Sequence, residues 1–329
     1  MILADSTVLR PLYSYRPLRY LLAYALDLFV IALAIMMTLR FHGFYPLAIW
    51  IIAARQHAIA VLMHDGTHFL IFKNRKWNDF FTRYFLTLPV FMSLHHYRSL
   101  HFAHHRHTND PVQDPDWVRR SKLPGWEFPI TRRQMALLFI KDFFLVTLFE
   151  TSGRLKEQVS AAEDSSSRHE KIKVALYYGA VAMLVIHFHA VLGFFLFWVL
   201  PALMPMKVIR RIRGIAEHHG IVPMPIAERE KPLRASRSVN ASWWEKIFLS
   251  PWNVNFHLEH HLYPQVPFFE LPKLNRLLLQ HDDFRRTAAV YGGYGAVLRE
   301  CTLNPRDFYS HIQSFELNHS KNSDILIVS

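Results

Sequence analysis

The sequence predicts an all-α integral membrane protein: four crossing helices in two hairpins, beneath a helical cap on the cytoplasmic side. Three observations carry that prediction. Apolar residues make up 51% of the 329 positions and gather into long runs. Basic residues collect between and after those runs, and three short histidine groups stand at their ends or beyond.

The first run, Leu18 to Leu39, holds only Arg19 and Asp27 as charges, and the second, Phe44 to Met63, only Arg55. A helix needs about 20 residues to cross the hydrocarbon layer, so each is long enough. We place these spans at 18–40 and 44–63, with His42 and Gly43 in the turn between them. From Val174 to Met206 there are 33 residues without an Asp, Glu, Lys or Arg. That is too long for one crossing of about 20 residues. Two short spans, 174–191 and 193–208, turning near Leu192 and Gly193, fit it better.

Two further apolar stretches are shorter. Phe80 to Leu94 is interrupted by Pro89, and Met135 to Phe149 contains Lys141 and Asp142. Both read as interfacial or re-entrant segments. Thr151 to Lys173 is polar and reads as a surface linker, and the tail from Lys321 as a loose end. No repeat divides the chain, so residues 1–329 are taken as one domain, with the cap formed by 64–173 and 209–320.

Charge gives the orientation. Of 38 Lys and Arg, 17 lie between Lys73 and Lys173 and 16 from Lys207 onward. By the positive-inside rule these segments are cytoplasmic, at a bacterial inner membrane or an endoplasmic reticulum alike. The net charge of +12 does not argue for nucleic acid, because the basic residues flank apolar spans and no nucleic-acid motif is present. Anionic lipid headgroups and an acidic redox partner suit it better. The single Cys301 excludes an intrachain disulfide and any thiolate-held cluster.

The histidine groups are His64-Asp65-Gly66-Thr67-His68, His101-Phe102-Ala103-His104-His105 and His257-Leu258-Glu259-His260-His261. On a helix, residues three and four apart share a face, so each group presents imidazoles side by side. One such pair is often accidental, but three in topologically compatible positions are not. Together they offer eight candidate nitrogen ligands: His64, His68, His101, His104, His105, His257, His260 and His261. A tetrahedral zinc site closes at four ligands, so eight suit two metals held close together. Iron is the natural choice, although imidazole also suits zinc, copper and nickel. A metal transporter or haem protein is the rival of another class, and it would place its ligands at membrane depth.

The order of two apolar spans, HDGTH, HFAHH, two more spans and HLEHH resembles the membrane-bound fatty acid desaturase and hydroxylase family, over roughly Leu18 to Leu279. Asn253-Val254-Asn255-Phe256 before the third box, Leu262-Tyr263-Pro264 after it, and Thr108 through Asp116 are similar to that family's usual surroundings. The resemblance implies a ninth ligand on a helix before the third box, which is His218, with His219 as its competitor.

It also implies two iron ions, dioxygen as co-substrate, a membrane lipid or acyl substrate, and electrons from an external ferredoxin, rubredoxin or cytochrome of the b5 type. The implied reaction is desaturation of a lipid-, CoA- or carrier-linked acyl chain. The alternative is hydroxylation or ketolation of a carotenoid ring or acyl chain. Asp65, Asp110, Asp114, Asp116, Glu217, Asn255 and Glu259 are candidates to accept the far N–H of a ligand imidazole and fix its tautomer. His95, His96 and His107 read as surface or supporting residues, and His187 and His189 as interfacial ones.

Overall fold

The computed structural model describes residues 9–123, 125–150, 168–218, 233 and 236–303. Helix α1 (Pro17–Arg40) opens with a proline at its first position, where a missing N–H costs nothing. Its buried residues Tyr20, Ala23, Asp27, Ile31, Ala34 and Thr38 fall three or four apart and form one stripe. The opposite face exposes Leu18, Leu22, Phe29, Leu33 and Met36, as an apolar solvent requires. After a short turn at His42–Phe44, α2 (Tyr45–Thr67) returns antiparallel to α1. It is buried on nearly every side, and Ala48, Ala53, Ala54 and Ala58 let its neighbours approach closely.

The first box stands at the C-terminal end of α2, and a close approach fixes it there. A Cβ on Gly66 would lie 2.3 Å from Thr82 Oγ1, so only glycine fits. The Asn78 side chain donates to Gly66 O at 2.8 Å and accepts from the Ile71 amide at 3.2 Å, which pins the loop that follows. Asn78 belongs to α3 (Arg75–Phe81), capped by Asn74 and continued by a π turn at Thr82–Thr87.

The chain then reverses at Leu88–Phe91, where Phe91 adopts φ 60°, and enters α4 (Leu94–His107) with the second box. The reversal is tied to the apolar helices. Leu88 O accepts from the Tyr178 hydroxyl at 2.9 Å and Pro89 O from the Trp198 indole at 2.8 Å. The segment from Phe80 to Leu94 is thus a bent helical reversal.

Helix α5 (Pro115–Ser121) is capped by Asp114, and α6 (Arg132–Phe143) by a Thr131/Gln134 capping box. Phe143 stacks on Trp50 of α2, with ring centroids 5.6 Å apart. Helix α7 (Arg168–His187) is followed by α8 (191–203), which contains a π turn, and by α9 (Pro205–Glu217). Arg168 to Lys173, expected in a linker, form the start of α7. The rest of that linker, His219 and the tail lie outside the described residues.

Among the described residues three helical stretches are long and apolar enough to cross a membrane, Pro17–Arg40, His42–Thr67 and Val191–Glu217; α7, where a span at 174–191 was expected, is not one of them. Two boundaries differ from those expected. The turn between α7 and α8 falls at 188–190, with His189 at φ 50°, and Leu192 and Gly193 are helical. The exposed imidazoles of His187 and His189, rather than the glycine, mark the break. The last apolar stretch does not stop at 208; it bends at Met204–Pro205 and runs on to Glu217.

The remaining helices are α10 (Trp243–Phe248), α11 (His257–Leu262), α12 (Leu271–Leu278), α13 (Asp282–Thr287) and α14 (Tyr294–Glu300). An all-α expectation needs one correction, because β1 (Ser238–Val239) pairs in parallel with β2 (Val290–Tyr291). This small ribbon carries the third box. Ser238 Oγ accepts from the Leu258 amide at 3.2 Å, and the Val239 amide donates to Asn255 O at 3.0 Å.

Candidate metal centre

The third box is reached through strained backbone. Trp252 and Asn253 hold φ of 54° and 59°, in the left-handed region that side chains disfavour. Their contacts offset that cost. The Trp252 indole donates to Asp27 Oδ2 at 2.9 Å and Asn253 Nδ2 to Phe268 O at 3.1 Å. Asp27 also pairs with Arg55 at 3.2 Å, so one buried network joins α1, α2 and the approach to α11. Removing one partner would leave a desolvated charge, which destabilises far more than the intact pair stabilises.

All nine histidines named from the sequence converge, in two groups. His64, His68, His101, His105 and His260 form one, and His104, His218, His257 and His261 the other. Within each group the candidate ligand nitrogens lie within 4.8 Å of one another. The division follows helix geometry. His101 and His105, four apart, stay together, and so do His257 and His261. The residue between them crosses over: His104 of α4 joins the second group and His260 of α11 the first. His105 and His261 stack face to face across the division, centroids 4.2 Å apart and 14° from parallel.

The spacing fits metal ligation better than hydrogen bonding. Nε2 atoms face each other at 2.8 Å for His68–His101, 3.1 Å for His105–His260, 3.2 Å for His104–His218, 2.8 Å for His218–His257 and 3.1 Å for His257–His261. Imidazole nitrogens about 2.1 Å from a shared ion stand about 3 Å apart at right angles. A neutral ring has one N–H, so four or five convergent nitrogens cannot all be satisfied by protons they share. The buried Nε2 of His64 has no hydrogen-bond partner among the described residues.

The rings are held in the ligating form. Burial, with the like charge of neighbouring imidazoles, pushes His101, His257, His260 and His261 well below the usual histidine range. Burial first and Arg98 second bring His68 down to about 3. At neutral pH these rings are uncharged, with lone pairs free for a cation.

Outer contacts fix some rings and not others. Asp114 accepts from His104 Nδ1, at 2.9 and 3.0 Å from its two oxygens. The same carboxylate takes the Asn109 and Asp116 amides, so it caps α5 and orients a candidate ligand together. Asp65 Oδ1 lies 3.6 Å from His64 Nδ1, while Oδ2 accepts from the Tyr20 hydroxyl and the Phe268 amide. Glu217 lies 3.8 Å from His257 Nδ1 and is gripped by Arg213.

The other polar candidates take different partners. Asp110 accepts from the Val112 and Gln113 amides in a turn. Asp116 pairs with Arg119 and Arg120, each at 3.1 Å. Glu259 is bound by Ser238 and Asn275, and Asn255 Nδ2 donates to Val239 O. These bind the box to the ribbon and to α12 rather than touching a ring.

Sequence reasoning missed three contributors. Tyr97 stacks on His101, centroids 5.3 Å apart and 11° from parallel. Thr108 Oγ1 lies 3.4 Å from His261 Nδ1. Arg213 lies 3.2 Å from His57 Nε2 while holding Glu217. Tyr97 precedes His101 by four residues and Thr108 follows His104 by four, so helical spacing was the available signal.

A fatty acid desaturase family model matches residues 41–293. The chain therefore belongs to the fatty acid desaturase family. It is 27% identical to dihydrorhizobitoxine desaturase of Bradyrhizobium elkanii over 76% of this chain and 72% of that protein. It is 25% identical to sn-1 oleoyl-lipid 12-desaturase of a Picosynechococcus strain, over 65% of this chain and 62% of the relative. Zeaxanthin 4-ketolase of Chlamydomonas reinhardtii is 24% identical over 66% of this chain and 41% of its own length. Membership of this family makes the chain an oxidoreductase.

Proposed function

We propose that this protein desaturates a fatty acyl chain with dioxygen, at a centre of two iron ions held by the nine histidines. The observation that carries this reading is the convergence of nine imidazoles in groups of five and four. Two iron ions held there would supply, with dioxygen, the oxidant that an unactivated methylene demands and no side chain provides. His64, His68, His101, His105 and His260 would hold one ion and His104, His218, His257 and His261 the other. Asp114 keeps the His104 tautomer that leaves Nε2 free, and Thr108 steadies His261.

The chain is read as crossing a bilayer four times, through α1, α2, α7 and α8, with the histidines on the cytoplasmic side. The three boxes converge, so the chain between the second and third must cross an even number of times; α7 and α8 would do so as a hairpin, and the basic residues around the boxes set the side. The substrate is then a membrane lipid or acyl conjugate, and electrons come from a ferredoxin, rubredoxin or cytochrome of the b5 type docking on the basic face.

Hydroxylation or ketolation is the second reading, favoured by the ketolase among the relatives. The choice turns on how the substrate carbon sits against the centre, where small displacements matter. Total lipids and pigments from a host expressing the wild-type chain and one expressing His261→Ala, compared by mass spectrometry, separate the two. Acyl chains lacking two hydrogens only with the wild type are expected. An added oxygen would favour the second reading, and no difference, with an added electron donor present, would count against both.

A further inference from the structure

His57 is an ionisable ring inside α2, only 2% exposed, and it belongs to neither histidine group. It precedes His64 by seven residues, two helical turns, so both stand on the same face of α2. That face meets α9, where Arg213 Nη1 lies 3.2 Å from His57 Nε2. A guanidinium has donors only. The imidazole nitrogen must therefore accept, which puts the ring proton of His57 on Nδ1.

Arg213 spends its other donors on α9 itself. Its Nε donates to Glu217 Oε1 at 2.7 Å, and its Nη2 reaches the same oxygen. The next residue is His218, where the helix ends at φ −134° and the amide donates to Gly214 O at a long 3.4 Å. The backbone holds this last turn weakly. What fixes it is the Arg213 clamp on the Glu217 side chain, with the Arg237 amide 3.0 Å from Glu217 O. His218 Nε2 stands 2.8 Å from His257 Nε2 and 3.2 Å from His104 Nε2. A shift of the turn would draw it out of a group that has only four members.

We propose that His57 is a positioning residue for the group of four: by accepting from Arg213 it fixes the guanidinium that holds Glu217, and so the place of His218. This rests on reading the nine histidines as ligands of two ions, and it adds a tenth histidine that touches neither. A buried donor that loses its acceptor costs more than the bond itself contributed. Without His57 the guanidinium would turn to another partner, and its grip on Glu217 would loosen.

The test is competition of ferrous iron, bound to the full chain in lipid nanodiscs, against a chelator, with iron counted per chain. His57→Leu removes the acceptor, and His57→Gln returns an oxygen near the place of Nε2. His57→Leu should weaken one of the two ions about tenfold, the effect of an unmet buried donor, and leave the other unchanged. His57→Gln should restore most of the loss. His218→Ala identifies the affected ion, because it should abolish the same step of the competition curve. Unchanged binding in His57→Leu, equal weakening of both ions, or a His57→Gln variant as weak as His57→Leu would overturn the proposal alone, provided that the wild type holds two ions. A wild type that holds one ion would overturn the two-metal reading together with it.

Discussion

The two histidine groups are built differently. The group of four is braced by polar neighbours, Asp114 on His104 and Thr108 beside His261. The group of five has weaker bracing, with Asp65 3.6 Å from His64 and Tyr97 stacked on His101. It has one more imidazole instead. A site can be made rigid by orienting few ligands or by supplying more of them, and this protein does each on one side of the same pair of helices.

That difference can be broken in steps. The largest effect is expected from His104→Ala or His261→Ala, each of which removes one of four ligands. Activity should vanish and bound iron fall, measured by metal analysis of the purified protein. Asp114→Asn should come next, lowering metal affinity about 10- to 100-fold, the usual cost of losing a ligand's outer partner. Competition with a chelator would read it. Asp65→Asn should cost less, since the carboxylate stands beyond hydrogen-bond reach of His64 and the five-membered group has a ligand to spare. Equal losses in Asp65→Asn and Asp114→Asn would remove the proposed asymmetry. Asp116→Asn should be milder than any ligand change, because its partners are arginines.

Acid should act on the metal-free protein. The buried histidines have folded pKa values below the unfolded value of about 6.5, so between the two the unfolded chain binds more protons. Stability is therefore present above about pH 6.5 and lost as pH falls below it. Thermal melts of the chelated protein from pH 7.5 to 5 should show a falling midpoint. A midpoint that rises toward pH 5 would mean the rings are not buried as described.

Much of this was legible in the sequence. Eight of the nine histidines could be named because their spacing puts them on shared helix faces, and His218 only because the family resemblance implied a ligand before the third box. Their division between two groups could not be read. His104 parts from His101 and His105 because adjacent helix positions diverge by about 100°, and which way each points depends on where α11 docks. The turn at His189 was hidden behind Gly193, whose flexibility made it the more obvious break. The parallel ribbon joins residues far apart in the chain, and two-residue strands carry no periodicity to read. Asp114 was legible only as one of several acidic residues in a turn-forming stretch. Its role comes from capping α5 and facing His104 together.

The central claim is that nine histidines hold two metals. Iron quantified per chain in the purified wild type and in His104→Ala tests it most directly. Two irons per chain in the wild type, with loss in the variant, is the predicted result. Two irons retained in His104→Ala with turnover intact, or a wild type that binds a single ion, would contradict it.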